Sequence, residues 1–123
     1  LRTPQAQALA VPVYIAGQLG GTEGYCEAIR SGLHVALQVA AQLAGAQAPL
    51  PPEETAFGAL LAHATDAGVV DYQPMHVNFG VFAPLDPPVR NKRERYAAYA
   101  RRGARALQDY CGQLQQLGLL GGR

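Results

Sequence analysis

A ten-residue stretch, Ala16-Gly17-Gln18-Leu19-Gly20-Gly21-Thr22-Glu23-Gly24-Tyr25, constrains this chain more than any other part of it. It holds four glycines and lies between a short apolar run and a long helical pattern. Glycines clustered in this way let a chain turn through positive φ and let another group approach the backbone closely. The turn would deliver that group to a helix N-terminus, where unpaired N–H groups and the helix dipole favour negative charge. Two readings follow from the residues alone: one wall of a cofactor or anion site, or a plain strand-to-helix turn.

The flanking pattern predicts the elements. Val11 to Ala16 is short, apolar and rich in β-formers, which predicts a buried strand whose first residues are weakened by Pro12. An isolated strand cannot pair its backbone. The pattern therefore predicts a larger sheet, and a chain that is the C-terminal piece of a longer protein. From about Thr22 to Ala44, apolar residues recur at Tyr25, Ile29, Leu33, Ala36, Ala40 and Leu43, one face of a helix. Thr22 is the expected N-cap and Gly45 the expected stop, with Gly32 set for close packing against the sheet. Ala48 to Pro52 reads as a stiff linker. A shorter helix is expected from Pro52 or Thr55 to about Ala64, burying Phe57, Leu60, Leu61 and Ala64. Val69 to Leu85 carries Pro74, Gly80 and Pro84 and predicts extended segments that line some other part of the fold. A last helix is expected from about Asn91 to Leu117, with an apolar stripe of Tyr96, Ala100, Ala104, Leu107, Cys111 and Leu114 and a frayed tail from Gly118 to Arg123. Three units result: 1–47, 48–89 and 90–123.

Composition narrows the classes. A chain of 123 residues with 49% hydrophobic content supports one modest domain. No apolar run approaches the roughly 20 residues of a membrane span, and no signal-peptide pattern is visible. Cys26 and Cys111 stand far apart without metal or CxxC spacing, which predicts buried or idle thiols in a reducing cytosol and no metal site. The net charge of +1 hides a cluster: seven of the ten basic residues, Arg90, Lys92, Arg93, Arg95, Arg101, Arg102 and Arg105, fall within one stretch opposed only by Glu94. That cluster reads as a footprint for nucleic-acid phosphates or as the solvated face of an amphipathic helix. Little aromatic interleaving marks its polar side, so base stacking is not expected.

Four segments, in order, match one family. Gly17-Gln18-Leu19-Gly20-Gly21-Thr22-Glu23-Gly24-Tyr25-Cys26-Glu27, then Ser31-Gly32-Leu33, resembles the GQ(I/L)xGxEGYxE…xGL signature of the TrmFO family. Pro52-Glu53-Glu54-Thr55-Ala56-Phe57-Gly58-Ala59-Leu60-Leu61 is similar to its PxETAxGALL segment. Tyr72-Gln73-Pro74-Met75-His76-Val77-Asn78-Phe79-Gly80-Val81-Phe82 is similar to its FQPMNxNFGLx segment, and Lys92-Arg93-Glu94-Arg95 with Tyr99-Ala100 to its terminal K(R/K)ER…YA helix. The chain departs from the pattern at Gly20, where Thr is frequent, at His76, where Asn is common, and at Ala83, where Pro is frequent.

The resemblance implies an α/β fold: the C-terminal fragment of a Rossmann-type FAD-binding domain, with final strand, glycine turn and helix, followed by mainly helical elements. It implies the folate- and FAD-dependent tRNA (uracil-5-)-methyltransferase reaction in the cytoplasm. Methylenetetrahydrofolate gives the carbon, reduced FAD gives the electrons, NAD(P)H reduces the flavin, and the T-loop uridine at position 54 accepts the methyl group. Gly17, Gln18, Gly20, Gly21, Thr22, Glu23, Gly24 and Tyr25 are the expected FAD contacts. His76 and Asn78 are candidates for folate or the flavin edge, or else satisfy local backbone groups. Arg93, Arg101, Arg102 and Arg105 are candidates for tRNA. The dinucleotide fingerprint and the family's reactive cysteines lie upstream of this stretch, so no catalytic residue is assigned, and the fragment is expected to be inactive without the upstream part of the polypeptide. Alternatives are a ribosomal-RNA (uracil-5-)-methyltransferase paralogue, a wobble-uridine flavoprotein of the related MnmG type, and a non-enzymatic RNA-binding module using only the basic helix.

Overall fold

The computed structural model describes residues 11–121. Three helices organise them: α1 (Tyr25–Leu43), α2 (Ala56–Thr65) and α3 (Lys92–Gln116). Irregular chain joins the helices, with short 3₁₀ turns at Gly17–Gly20 and Phe79–Val81. Among the described residues the β pairing is a single parallel bridge between Thr22 and Met75. The helical elements fit the expectation, but the expected strand over 11–16 is not formed. A strand needs a ladder partner, and none lies among the described residues.

Local chemistry sets the helix ends. The Thr55 hydroxyl accepts from the Gly58 N–H at 3.1 Å and so caps α2. The Asn91 side chain accepts from the Glu94 N–H at 3.1 Å and caps α3. At the far end of α1, Gly45 takes φ +70 while the Ala46 N–H donates to the Ala41 carbonyl at 2.8 Å, a Schellman closure that ends the helix where the glycine predicts. The same closure follows α3: Gly118 takes φ +68 and the Leu119 N–H donates to Leu114 at 2.9 Å. The turn directs Leu119 and Leu120 onto the core of Leu37, Tyr110 and Leu114. That part of the expected frayed tail is therefore ordered by burial, while residues 122–123 lie outside the described residues.

Packing departs from the periodicity reading in a revealing way. On α1 the buried residues are Ser31, Leu37 and Ala41. The stripe expected to be buried is open instead: Tyr25 is 92% exposed, Ile29 74% and Leu43 84%, with Leu33, Ala36 and Ala40 exposed as well. Among the described residues it is the Leu37 side that packs on α3, through Tyr110 and Leu114. Gly32 does not pack closely, since a Cβ there would meet nothing within 4 Å. On α3 the fully buried residues are Tyr110 and Leu114, whereas Leu107 of the expected stripe is 43% exposed. Arg30 joins the three helices, its guanidinium 5.6 Å from the Phe57 ring centroid and 5.8 Å from that of Tyr110.

α2 sits against the proline linker. Gly58, Ala59 and Leu60 are its buried residues. A Cβ on Gly58 would overlap the Pro52 carbonyl oxygen, and one on Gly103 of α3 would lie 2.9 Å from the Glu54 carbonyl oxygen. Glycine at these two positions lets the linker run between helices at backbone distance.

Candidate cofactor site at the glycine turn

The turn is built by its own backbone. The Gly21 N–H donates to the Gln18 carbonyl at 3.0 Å, and Gly21 takes φ +90. Thr22, expected as the N-cap of α1, closes the turn instead: its hydroxyl donates to the Gly17 carbonyl at 2.9 Å and its side chain is buried. The chain bends into the helix two residues later, at Gly24 with φ +103. The Gly17 N–H donates to the Ser31 hydroxyl at 3.0 Å, which anchors the turn to the second turn of α1.

Gly24 can offer no side-chain cap, so α1 is the one helix of the three described whose first-turn amides lack one. These amides border an open hollow of about 630 Å³ lined by Gln18, Thr22, Glu23, Gly24, Tyr25, Cys26, Glu27, Ala28 and His76. Gln18, Thr22, Glu23, Gly24 and Tyr25 from the expected cofactor set meet there. Gly17, Gly20 and Gly21 shape the turn behind them. The hollow brings the first-turn amides of α1 together with the Glu23 and Glu27 carboxylates and the His76 ring.

The 72–78 segment crosses the turn. The Tyr72 hydroxyl donates to the Gly21 carbonyl at 2.6 Å, the Glu23 N–H to the Met75 carbonyl at 3.1 Å, and the Val77 N–H to the Glu27 carboxylate at 3.2 Å. Burial pushes the Tyr72 phenol pKa up, which keeps the hydroxyl a donor. His76 is thereby brought to the hollow. Asn78 is engaged locally, accepting from the Gly80 N–H at 2.8 Å to cap the Phe79–Val81 turn. Spacing gave no signal for Tyr72 or Glu27, because their partners lie about fifty residues away in sequence.

The basic cluster divides. Arg93, Arg101 and Arg105 are exposed on α3. Arg102 is turned inward: it donates to the Pro84 carbonyl at 3.0 Å and to Ala83 at 2.8 Å, and its guanidinium lies 5.2 Å from the Tyr99 ring centroid. Beside it, Phe79 stacks on Tyr96 at 4.2 Å with 7° between the rings, and Phe82 and Tyr99 complete an aromatic cluster. Lys92 and Arg95 lie 5.7 and 5.9 Å from the Tyr96 centroid. Aromatics and cations are therefore interleaved at this end of α3, where the linear pattern predicted little of it. The aromatics come from two segments, so the interleaving arises only on folding.

Cys26 and Cys111 are free thiols. No group of His, Cys, Asp or Glu among the described residues could hold a metal, and no described helix is long and apolar enough to cross a membrane.

The local geometry is thus a glycine turn feeding a helix that has no side-chain cap, beside a hollow open on one side. Sequence comparison supplies the family. The chain is 48% identical over 103 residues to methylenetetrahydrofolate–tRNA-(uracil-5-)-methyltransferase TrmFO of Novosphingobium aromaticivorans, a match covering 83% of this chain and 22% of that protein. It is 48% identical over 99 residues to the protein of the same name from Sphingopyxis alaskensis, covering 80% and 22%. It is 42% identical over 98 residues to that from Syntrophotalea carbinolica, covering 80% and 21%. The chain belongs to the TrmFO family, as its four motifs imply, and spans about a fifth of the length of these relatives. No family model and no solved structure matches it.

Proposed function

We propose that this chain is the cofactor-clamping C-terminal part of a TrmFO-type enzyme that forms 5-methyluridine at position 54 of the tRNA T-loop. The observation that carries the reading is the uncapped start of α1 at the hollow, in a chain whose other two described helices are capped by side chains. Bound there, FAD supplies the electrons and methylenetetrahydrofolate the carbon, with NAD(P)H as the reductant of the flavin. The first-turn amides of α1 would hold the anionic edge of the reduced ring, and the Gln18 amide would hold a polar edge beside it. His76 lies within reach of the same hollow.

The remaining surfaces suit a part of a larger polypeptide. Residues 11–16 are without regular strand pairing, as a final Rossmann-type strand would be without its sheet. The open stripe of α1, with Tyr25, Ile29, Leu33 and Leu43, is an apolar face for which the upstream polypeptide is the natural cover. Arg93, Arg101 and Arg105 remain free on α3 to neutralise tRNA phosphates.

The test uses the full-length polypeptide, incubated with unmodified tRNA, labelled methylenetetrahydrofolate and NADH. Flavin-dependent label in the T-loop uridine is the expected result. A yellow protein that labels no tRNA refutes the substrate, and a protein without flavin refutes the cofactor role. Gly24→Val is expected to lower FAD occupancy, because its side chain would enter the space held by Glu27 and by His76 Nδ1, 2.6 Å away.

A further inference from the structure

The turn glycines carry two different burdens. Family signatures invite the idea that each glycine makes room for a ligand, but at Gly21 and Gly24 the chain itself fills that room. A Cβ on Gly21 would lie 2.7 Å from Cε1 of Tyr72, and one on Gly24 would meet the Glu27 carboxylate and the His76 ring. What presses on these two glycines is the 72–78 segment, laid across the turn. Three hydrogen bonds fasten it, two of them through side chains: Tyr72 to the Gly21 carbonyl and Glu27 from the Val77 N–H. Asp71, immediately before, adopts φ +56, a left-handed conformation that a non-glycine residue takes rarely, Asp and Asn most readily. The strap therefore starts from a sharp turn and is pinned at both ends of its crossing.

We infer that Tyr72 and Glu27 are positioning residues for the cofactor hollow: they hold the 72–78 segment on the glycine turn and so fix the first turn of α1 and the His76 wall against each other. This rests on the proposed FAD site and extends it to residues that need not touch the cofactor. Gly21 sits behind the hollow and is not among its lining residues, so the Tyr72 bond acts on the site through the backbone. Glu27 is different. It lines the hollow, yet its carboxylate also accepts from Val77, so its contribution divides between charge and fastening.

The experiment measures FAD affinity in the full-length polypeptide for Tyr72→Phe, Glu27→Ala and Glu27→Gln, alongside amide exchange in the apoprotein. Losing one such hydrogen bond is expected to weaken FAD binding about tenfold in Tyr72→Phe and Glu27→Ala. Glu27→Gln keeps an acceptor for the Val77 N–H and is expected to restore affinity to within about threefold of wild type. The Glu23 and Val77 amides should exchange faster in Glu27→Ala, while those of α3 keep their protection; a merely destabilising change would speed both. Wild-type FAD affinity in Tyr72→Phe and Glu27→Ala, with faster exchange at Glu23 and Val77, would overturn the inference and leave the FAD site standing. Equal losses in Glu27→Ala and Glu27→Gln would overturn the fastening role of Glu27. A wild-type polypeptide that binds no FAD would overturn the proposed function and this inference together.

Discussion

Gly58 is the position at which the packing argument is most exposed to refutation. In an open helix interior, Gly→Ala stabilises by about 1 kcal/mol through helix propensity and reduced freedom of the unfolded chain. At Gly58 the sign should reverse. Its Cβ would overlap the Pro52 carbonyl oxygen, lie 2.5 Å from the Pro52 carbonyl carbon and 2.7 Å from the Pro51 oxygen. Carbon–carbon contact needs roughly 3.5 Å, so the linker backbone must retreat by about 1 Å. That movement strains two bonds received by the Pro52 carbonyl, from the Thr55 N–H at 2.9 Å and from the Thr55 hydroxyl at 2.6 Å. Two hydrogen bonds at about 1 kcal/mol each, plus roughly 1–3 kcal/mol of overpacking, outweigh the propensity gain. The net expectation for Gly58→Ala is a loss of about 2–4 kcal/mol. Gly112→Ala in α3, where a Cβ meets nothing within 4 Å, is the matched control and should gain up to about 1 kcal/mol. Urea unfolding of both variants followed by far-UV circular dichroism reads the difference. A Gly58→Ala variant as stable as Gly112→Ala would refute the close approach of linker and helix.

Other consequences are measurable by similar means. Burial, with the nearby Arg30 charge, lowers the pKa of His34 below 6.5 in the folded chain. The unfolded state then binds the extra proton, so stability should fall as pH drops from about 6.5 through the folded value and level off below it. His34→Gln should flatten that part of the urea-midpoint profile, and an unchanged profile would refute the assignment. Tyr110 is 1% exposed, and its hydroxyl, near the Arg30 guanidinium, meets the geometry of no hydrogen bond among the described residues. Tyr110→Phe should therefore leave stability unchanged or raise it by up to about 1 kcal/mol, and a large loss in calorimetry would mean the hydroxyl is paired. In the full-length polypeptide, Arg101→Ala and Arg105→Ala should each weaken tRNA binding and lower the log–log salt slope by roughly 1, while an unchanged slope would make this face only a solvated surface.

Local signals were legible and non-local ones were not. Gly45 ends α1 as its place after the apolar repeat predicts, because a left-handed residue closes a helix using bonds from its own last turn. The boundaries of α2 and α3 follow their caps at Thr55 and Asn91 within a residue or two. A Thr before an apolar run is the usual capping signal and points to Thr22, whereas α1 starts at Tyr25 behind Gly24. The Thr22 hydroxyl is instead spent on the Gly17 carbonyl, a choice that depends on where Gly24 bends the chain. Tyr110 lay outside the expected stripe of α3 because that stripe followed Ala100 and Ala104, which carry little apolar area. The packing buries Leu114 of that stripe together with Tyr110, one turn before it. The bonds from Tyr72 to Gly21 and from Val77 to Glu27 join residues some fifty positions apart, and no periodicity registers such a pairing. The motif resemblance did bring both segments together in one family, though without saying that they touch.

The buried and open faces of α1 carry the strongest argument about what this chain is for. Periodicity correctly identified Tyr25, Ile29, Leu33, Ala36, Ala40 and Leu43 as one apolar face, yet the fold leaves that face to solvent and buries Leu37 and Ala41 instead. Hydrophobic patterning marks the apolar face of a helix, and it does not say which neighbour, if any, covers it. Fully burying a side chain the size of Ile29 or Leu43 is worth about 1.5–3 kcal/mol. An exposed row of such residues beginning at the glycine turn leaves a large part of the helix's apolar surface uncovered. Relatives at 48% identity are about four to five times as long as the matched stretch. The hollow at the start of α1 opens beside Tyr25, where this uncovered row begins. The uncovered apolar row and the site proposed to hold the cofactor therefore adjoin at one end of one helix.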